Sequence, residues 1–194
     1  MLANTQVMTE ASYLNNHFLI AMPALADPNF FHSVTYICEH NEQGAMGIVI
    51  NQPLDISLSD VLEHMKMPMS DEELGSTPVY LGGPVQPERG FVLHEPVGKW
   101  DSMLEVTDSM AVTTSRDILE ALNNGTGPSR SLVALGYAGW GEGQLEHELI
   151  ENAWLTCPAD SAIIFDTPIE NRWTAAAASL GVDINTLSDD FGHA

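Results

Sequence analysis

Basic residues are scarce in this sequence. Only six of its 194 residues are Lys or Arg, against 27 Asp and Glu, and the formal net charge is -21. The six are Lys66, Arg89, Lys99, Arg116, Arg130 and Arg172. None precedes Lys66, none falls between Arg130 and Arg172, and no two are neighbours. Proteins bind nucleic acid largely by neutralising phosphates with Lys and Arg. This chain offers no basic patch, and its field repels DNA, so direct nucleic-acid binding is not expected. The acidity otherwise reads as solubility. Long hydrophobic runs are missing too: no segment approaches the ~18 apolar residues that span a bilayer. Met1 to Ser12 holds no Lys or Arg and no long apolar run, so no signal peptide is expected. The expectation is a cytoplasmic protein without a membrane partner.

Cysteine is nearly absent. Cys38 and Cys157 are the only two, and neither sits in a C-x-x-C pair. Reduced, partly buried thiols are the expected state. A reactive thiolate needs an adjacent base or cation, and His40, two residues from Cys38, is too little to build one on. There is no G-x-S-x-G elbow for serine chemistry, no internal repeat, no low-complexity segment and no domain boundary.

What is present is the composition of a globular protein, 44% hydrophobic and 17% charged, in a length suited to one domain. Residues 1–13 are expected to be a loose N-terminal arm, and 14–192 a single domain. His17–Pro23 reads as a first strand ended by proline. Asp27-Pro28-Asn29 is turn chemistry, with Phe30 and Phe31 expected to dock the turn on the core. The alternation of Val34, Tyr36 and Cys38 with Thr35, Ile37 and Glu39 predicts a strand. A loop over His40–Gly44 and a returning strand Met46–Asn51 complete a hairpin. Asn51-Gln52-Pro53 breaks it. Ser57 or Ser59 caps a helix carrying Leu58, Val61, Leu62 and Met65, and Met67–Thr77 reads as an exposed loop.

Strands are expected at Val79–Val85, ending in Gly82-Gly83-Pro84, and at Phe91–His94, Met103–Val106 and Met110–Val112. Thr113 or Thr114 caps the next helix, with Ile118, Leu119 and Leu122 on its apolar face. Ser131–Leu135 reads as a buried strand, Gly143–Asn152 as a helix, Trp154–Pro158 and Ser161–Phe165 as strands, and Ile169–Leu180 as a helix. A short tail carries Ile184, Leu187 and Phe191. Hairpins dominate and regular βαβ alternation is missing. The reading is therefore a mixed α+β domain with a largely antiparallel sheet and helices packed on it.

The densest chemistry is the stretch Gly136-Tyr137-Ala138-Gly139-Trp140-Gly141-Glu142-Gly143-Gln144. It reads as strand, glycine turn, helix. Such a turn can present N–H groups to a phosphate. The spacing G-x-x-G-x-G-x-G, however, matches neither dinucleotide nor P-loop fingerprints, no Lys follows, and Glu142, Glu146 and Glu148 crowd the helix start. The alternative is close packing against a neighbouring strand, with Trp140 in the core or at a partner surface. His147 and Glu151 share a helix face in an H-E-x-x-E pattern. A catalytic zinc needs about three protein ligands and no third is local, so a solvated helix face competes with a metal site. Ser115 and Ser131 read as helix-start and strand-start residues. Arg89, Arg116, Arg130 and Arg172 read as buried partners for carboxylates or, in pairs, as a clamp on an acidic ligand.

Four blocks together resemble the bacterial YqgE/AlgH family. They are Phe18–Pro23, Gly47–Pro53 (GIVINQP), Val79–Val85 (VYLGGPV) and Gly136–Glu146 (GYAGWGEGQLE). Trp154-Leu155 through Pro158 and the Arg172-Trp173 helix are similar as well, so the resemblance runs from about Leu14 to Gly192. It implies a single-domain mixed fold with a barrel-like, branched sheet flanked by helices, in a bacterial cytosolic protein. Members carry the label of transcriptional regulator, and no catalytic residue comes with it. The leading expectation is a non-enzymatic regulatory or binding protein that acts through an unknown protein partner or small ligand. The candidate binding residues are Asn51, Gly82, Gly83, Gly139, Trp140, Gly141, Gly143, Gln144 and Glu148, with no cofactor and no metal. The alternative is an enzyme or small-ligand binder of unrecognised type, with its site beside the same glycines.

Overall fold

The computed structural model describes residues 13–69 and 71–187. The expected N-terminal arm, save Tyr13, and the end of the tail with Phe191 lie outside the described residues. Among the described residues ten strands form one sheet, in the order β10-β1-β2-β3-β9-β6-β8-β7, with β4 and β5 attached as a branch. The strands are β1 His17–Ala21, β2 Val34–Asn41, β3 Gly44–Val49, β4 Pro53–Ser57, β5 Pro78–Leu81, β6 Val85–Glu95, β7 Met103–Glu105, β8 Ala111–Thr113, β9 Arg130–Trp140 and β10 Trp154–Pro158. All pairings are antiparallel except β5 with β9. Among the described residues seven α-helices flank the sheet: α1 Leu58–His64, α2 Glu72–Gly75, α3 Arg116–Asn123, α4 Gln144–Ile150, α5 Ser161–Phe165, α6 Arg172–Ala178 and α7 Ile184–Leu187. The expected mixed α+β domain with a branched, largely antiparallel sheet is the observed one. No helix among the described residues is long and apolar enough to cross a membrane.

Both faces of the sheet are covered, which is why β1 reads as a continuous apolar run. Phe18 and Ile20 enter the main core with Tyr36, Ile48, Leu93 and Leu132, under Ile163, Ile164, Trp173, Ala176, Ala177 and Ile184 of α5–α7. Leu19 and Ala21 point the other way, to Trp140, Leu145 and Trp154 beneath α4. A third cluster, on that outer side, packs Val92 and Val133 against Leu58 and Leu62 of α1 and Ile118 of α3. Each fully buried Leu, Ile or Phe contributes about 1.5–3 kcal/mol.

Strand β9 is the trunk of the branch. At Ala134 and Leu135 it pairs with β5 on one edge and β6 on the other. At Ala138–Trp140 the first edge belongs to β3 instead. Gly136, between them, has φ +75. Leu132, Ala134 and then Tyr137 pack on the main core, while Val133, Leu135 and then Ala138 and Trp140 pack on the outer clusters. The inside–outside alternation thus slips by one residue at Gly136, as a glycine bulge makes it do. Gly82 and Gly83 close the same junction: a Cβ on Gly82 would stand 2.4 Å from the Gly136 carbonyl oxygen, and one on Gly136 2.5 Å from that of Gly83.

Several local expectations need correction. The Gly136–Trp140 stretch is strand, not turn; the turn begins at Gly141. Ser161–Phe165 is helix α5, not a strand, because the Asp160 side chain accepts the Ala162 N–H at 2.9 Å and caps it. Ser115, not Thr113 or Thr114, precedes α3. Met67–Thr77 holds the short helix α2, and Pro53 opens strand β4 instead of ending order. Ser57 caps α1 with a reciprocal Asp60 bond. Phe30 packs beside Trp140 and Trp154, but Phe31 is 58% exposed.

The arginines are not uniformly buried partners of carboxylates. Arg172 alone is buried, and its guanidinium donates to the Thr167 carbonyl at 2.9 Å, the Ile50 carbonyl at 2.5 Å and the Tyr80 hydroxyl at 3.3 Å. Arg116 and Arg130 pair at the surface with Glu120 and Asp166. Arg89 has no carboxylate partner among the described residues.

His94 is wholly buried. Its Nδ1–H donates to the Pro96 carbonyl at 3.0 Å, and its Nε2 accepts the Thr113 hydroxyl at 2.7 Å. Burial holds its pKa below the ordinary 6.5, and burial does the same for His32, stacked between Phe31 and Trp173. A histidine kept neutral in the fold binds fewer protons than the unfolded chain as pH drops below 6.5. Stability therefore falls with acidification from that point, by at most about 1.4 kcal/mol per pH unit for each proton. Asp60, Asp117 and Glu146 are lowered too, but they titrate below ordinary values of 3.8 to 4.5 and leave the pH 5–6.5 window to the histidines. Urea melts across that window are expected to show the slope, reduced in His94→Gln. An unchanged slope in the variant rejects His94 as its source.

Candidate functional site

The nine sequence-selected residues fall into three places. Asn51 is a clamp: its Oδ1 accepts the Val34 N–H and its Nδ2 donates to the His32 carbonyl, both at 2.9 Å. Gly82 and Gly83 are packed shut at the branch. The other six lie at the far end of β9 and the start of α4.

There the side chains converge on one carboxylate. Glu148 Oε2 accepts the indole N–H of Trp140 at 2.8 Å and of Trp154 at 2.9 Å. Gln144 Nε2 donates to Glu148 Oε1 at 3.3 Å, and Gln144 Oε1 accepts the Gly141 N–H at 3.0 Å. Gly143, φ +71, is the left-handed entry to α4. Both indoles are buried, at 6% and 5% exposure, and Phe30 packs against each. A second carboxylate tethers the same helix: His40 Nε2–H donates to Glu146 at 2.6 Å, while its Nδ1 accepts the Leu14 N–H at 2.9 Å. Burial raises the Glu146 carboxyl, but its hydrogen bonds and His40 outweigh this and leave it lowered. Glu148 and Trp140 thus dock α4 on the sheet, and Trp140→Ala tests packing before it tests recognition.

Gly139 is different. It is exposed, and it faces the inner side of the sheet with Tyr137. The two, with the backbone at Trp140, line an open groove of about 600 Å³ together with Met46, Phe91, Arg89 and Gln86. The groove continues the main-core face beyond the helices, since Met46, Phe91 and Tyr137 belong to both. Strand β6 shifts register between Val85 and Gly90, and the bulge carries Gln86 and Arg89 to the rim. Arg89 lies 5.6 Å over the Phe91 ring, so an exposed guanidinium with no carboxylate partner among the described residues stands on this floor. Phe91 and Met46 are not among the residues the sequence singles out, and Arg89, which is, stands here alone and not as one of a pair. Bulges recur beside binding surfaces, but no local pattern in the sequence marks this one.

The remaining chemistry is quiet. Both thiols are buried, and burial pushes each up in pKa, against a Ser179 hydrogen bond for Cys157, so neither is a thiolate at neutral pH. His147 pairs with Glu151 at 3.1 Å on an exposed helix face. Among the described residues no three His, Cys, Asp or Glu side chains come together as a metal site.

The AlgH-like family model matches residues 18–185. A UPF0301 protein of Thioalkalivibrio sulfidiphilus is 63% identical over 187 residues, covering 96% of this chain and all of that one. Another, from Nitrosococcus oceani, is 58% identical over the same coverage. The solution structure of the AlgH protein of Pseudomonas aeruginosa matches with a TM-score of 0.78 and 54% identity, over 96% of this chain and 98% of that one. A Corynebacterium diphtheriae crystal structure shares the fold with a TM-score of 0.74 at 18% identity, over 90% of this chain and 91% of that one.

Proposed function

We propose that this chain, which belongs to the AlgH-like family, is a non-enzymatic binding protein of regulatory role, whose partner docks in the groove at Gly139. One observation carries the reading: a strand residue without a side chain lies exposed between Tyr137 and the Arg89 rim, so a partner backbone can reach the sheet. Aromatic floor, apolar Met46 and the Arg89 guanidinium, held only by long neutral hydrogen bonds to Gln86 at 3.5 Å and Thr114 at 3.4 Å, give such a partner both contact area and a charge-assisted anchor. Glu39, Asn41 and Gln43 complete the rim.

Regulation by direct DNA contact is not part of this reading. Arg116 and Arg130 are paired and Arg172 is buried. Lys66, Arg89 and Lys99 remain against a net charge of -21, which leaves little counterion release to drive duplex binding. A low-salt gel shift is expected to show no retardation.

The direct test is photo-crosslinking in cells, with benzoylphenylalanine at Gln43 or Gln86 on the rim and at exposed Glu170 as a control. Both rim positions are expected to yield one common adduct and Glu170 none. Adding Gly139→Val is expected to abolish the adduct with the fold intact, because a Cβ there meets only side chains, the ring edge of Tyr137 at 3.3 Å and Val85 Cγ2 at 3.9 Å. No adduct from either rim position, or an adduct indifferent to Gly139→Val, rejects the groove as the docking surface.

A further inference from the structure

A second concavity lies on the opposite face of the sheet. Its floor is Gly90 and Val92 of β6 beside Leu135 and Val133 of β9, paired in register. Val61 and Met65 of α1 and Leu119 of α3 wall it, and its volume is about 590 Å³. Small-molecule sites of about 300–1,000 Å³ with mostly apolar walls are the common kind. Val61, Met65, Leu119 and Leu135 are only half-buried, so two helices turn apolar side chains to this space without filling it.

Gly90 points the same way. It has no positive φ, and a Cβ there would meet nothing within 4 Å. Neither backbone geometry nor close packing calls for glycine, and glycine weakens a strand interior. What its absence of side chain does is deepen the cleft.

The mouth sets the charge. Asp60 caps α1. Arg116 is committed to Glu120 at 3.0 Å and to the Met65 carbonyl at 3.2 Å. The Arg89 guanidinium lies over Phe91 and donates to the Thr114 hydroxyl at 3.4 Å, without itself lining the cleft. His64 and Glu88 line the mouth with no ion pair or hydrogen bond among the described residues. Glu88 is thus an unpaired carboxylate beside an apolar cleft, in a chain whose overall field draws cations.

We propose that this cleft binds a small cationic amphiphile, its apolar body over Gly90 and its protonated amine against Glu88. The site is separate from the Gly139 groove and stands or falls independently of it. The test is isothermal titration of the full chain with octylamine, octanol and octanoate, which differ only in the head group. Octylamine is expected to bind about tenfold more tightly than octanoate, with octanol between. Gly90→Leu, which has room for its Cβ, is expected to weaken all three about tenfold or more while near-ultraviolet circular dichroism stays native. Glu88→Gln is expected to bring octylamine to the affinity of octanol. No binding by any of the three, or binding unchanged in Gly90→Leu, overturns the site. Octanoate matching octylamine, or no response to Glu88→Gln, overturns the cationic ligand.

Discussion

Gly136→Ala is expected to destabilise the protein by about 2–5 kcal/mol, a large share of the 5–15 kcal/mol typical of a domain. Two costs add. An L side chain at φ +75 pays about 1–2 kcal/mol for the left-handed backbone, and the new Cβ presses on the Gly83 carbonyl at 2.5 Å. That oxygen cannot step aside cheaply, because Gly83 belongs to the branch where β5 leaves β9 and β3 takes its edge. Other glycines of the same run are expected to behave otherwise. At Gly141 a Cβ meets nothing closer than Gln144 Oε1 at 3.9 Å, and φ is not positive, so Gly141→Ala is expected within about 0.5 kcal/mol of the parent. Gly143→Ala pays only its φ of +71, about 1 kcal/mol, with open space around it. Urea unfolding midpoints read the ordering directly. Equal stability for the Gly136 and Gly141 variants would falsify the branch-point account.

That ordering also shows what the sequence could and could not disclose. Four glycines in eight residues announce special backbone, and the chain does have it. The glycines make the run read as a turn, and the alternation that would mark a strand fails across Leu-Val-Ala-Leu-Gly-Tyr-Ala-Gly-Trp. It fails for two physical reasons: both faces of β9 are buried, and the alternation slips by one at Gly136. Periodicity sees neither. Short apolar runs carry the same ambiguity: Ser161–Phe165 gives the same pattern to a helix as to a strand, and only the Asp160 cap separates them. Strands with one polar face, or with clear turn residues beside them, were legible, as in the β2–β3 hairpin, β7 and β8. The groove was half legible. Gly139 and Trp140 stood out locally, but Arg89 and Phe91 reach them only through the β6–β9 pairing, a long-range register that no local pattern encodes. Asn51, Gly82 and Gly83 were noticed for their chemistry and serve the fold.

Glu148→Ala is expected to cost about 2–5 kcal/mol, which for a half-exposed helix carboxylate is far above the usual surface range. The loss does not come from the carboxylate itself. It comes from the two indole N–H groups it satisfies, on Trp140 and Trp154, both nearly buried and both bonded to the same Oε2. An unpaired buried donor costs about 1–3 kcal/mol, and here two are orphaned at once. Glu148→Gln keeps one side-chain oxygen able to accept both N–H groups, so about 1 kcal/mol is expected, the difference between a charged and a neutral acceptor. Thermal melts followed by tryptophan fluorescence separate the cases, since the indoles that lose their acceptor are the reporters. The Glu146–His40 pair still holds α4 in the variant, so the expected result is a loosened Trp140–Trp154 contact in a folded chain. A melt for Glu148→Ala indistinguishable from that of Glu148→Gln rejects the paired-donor account and leaves apolar packing of Phe30, Leu145 and the two indoles as the force that holds the helix.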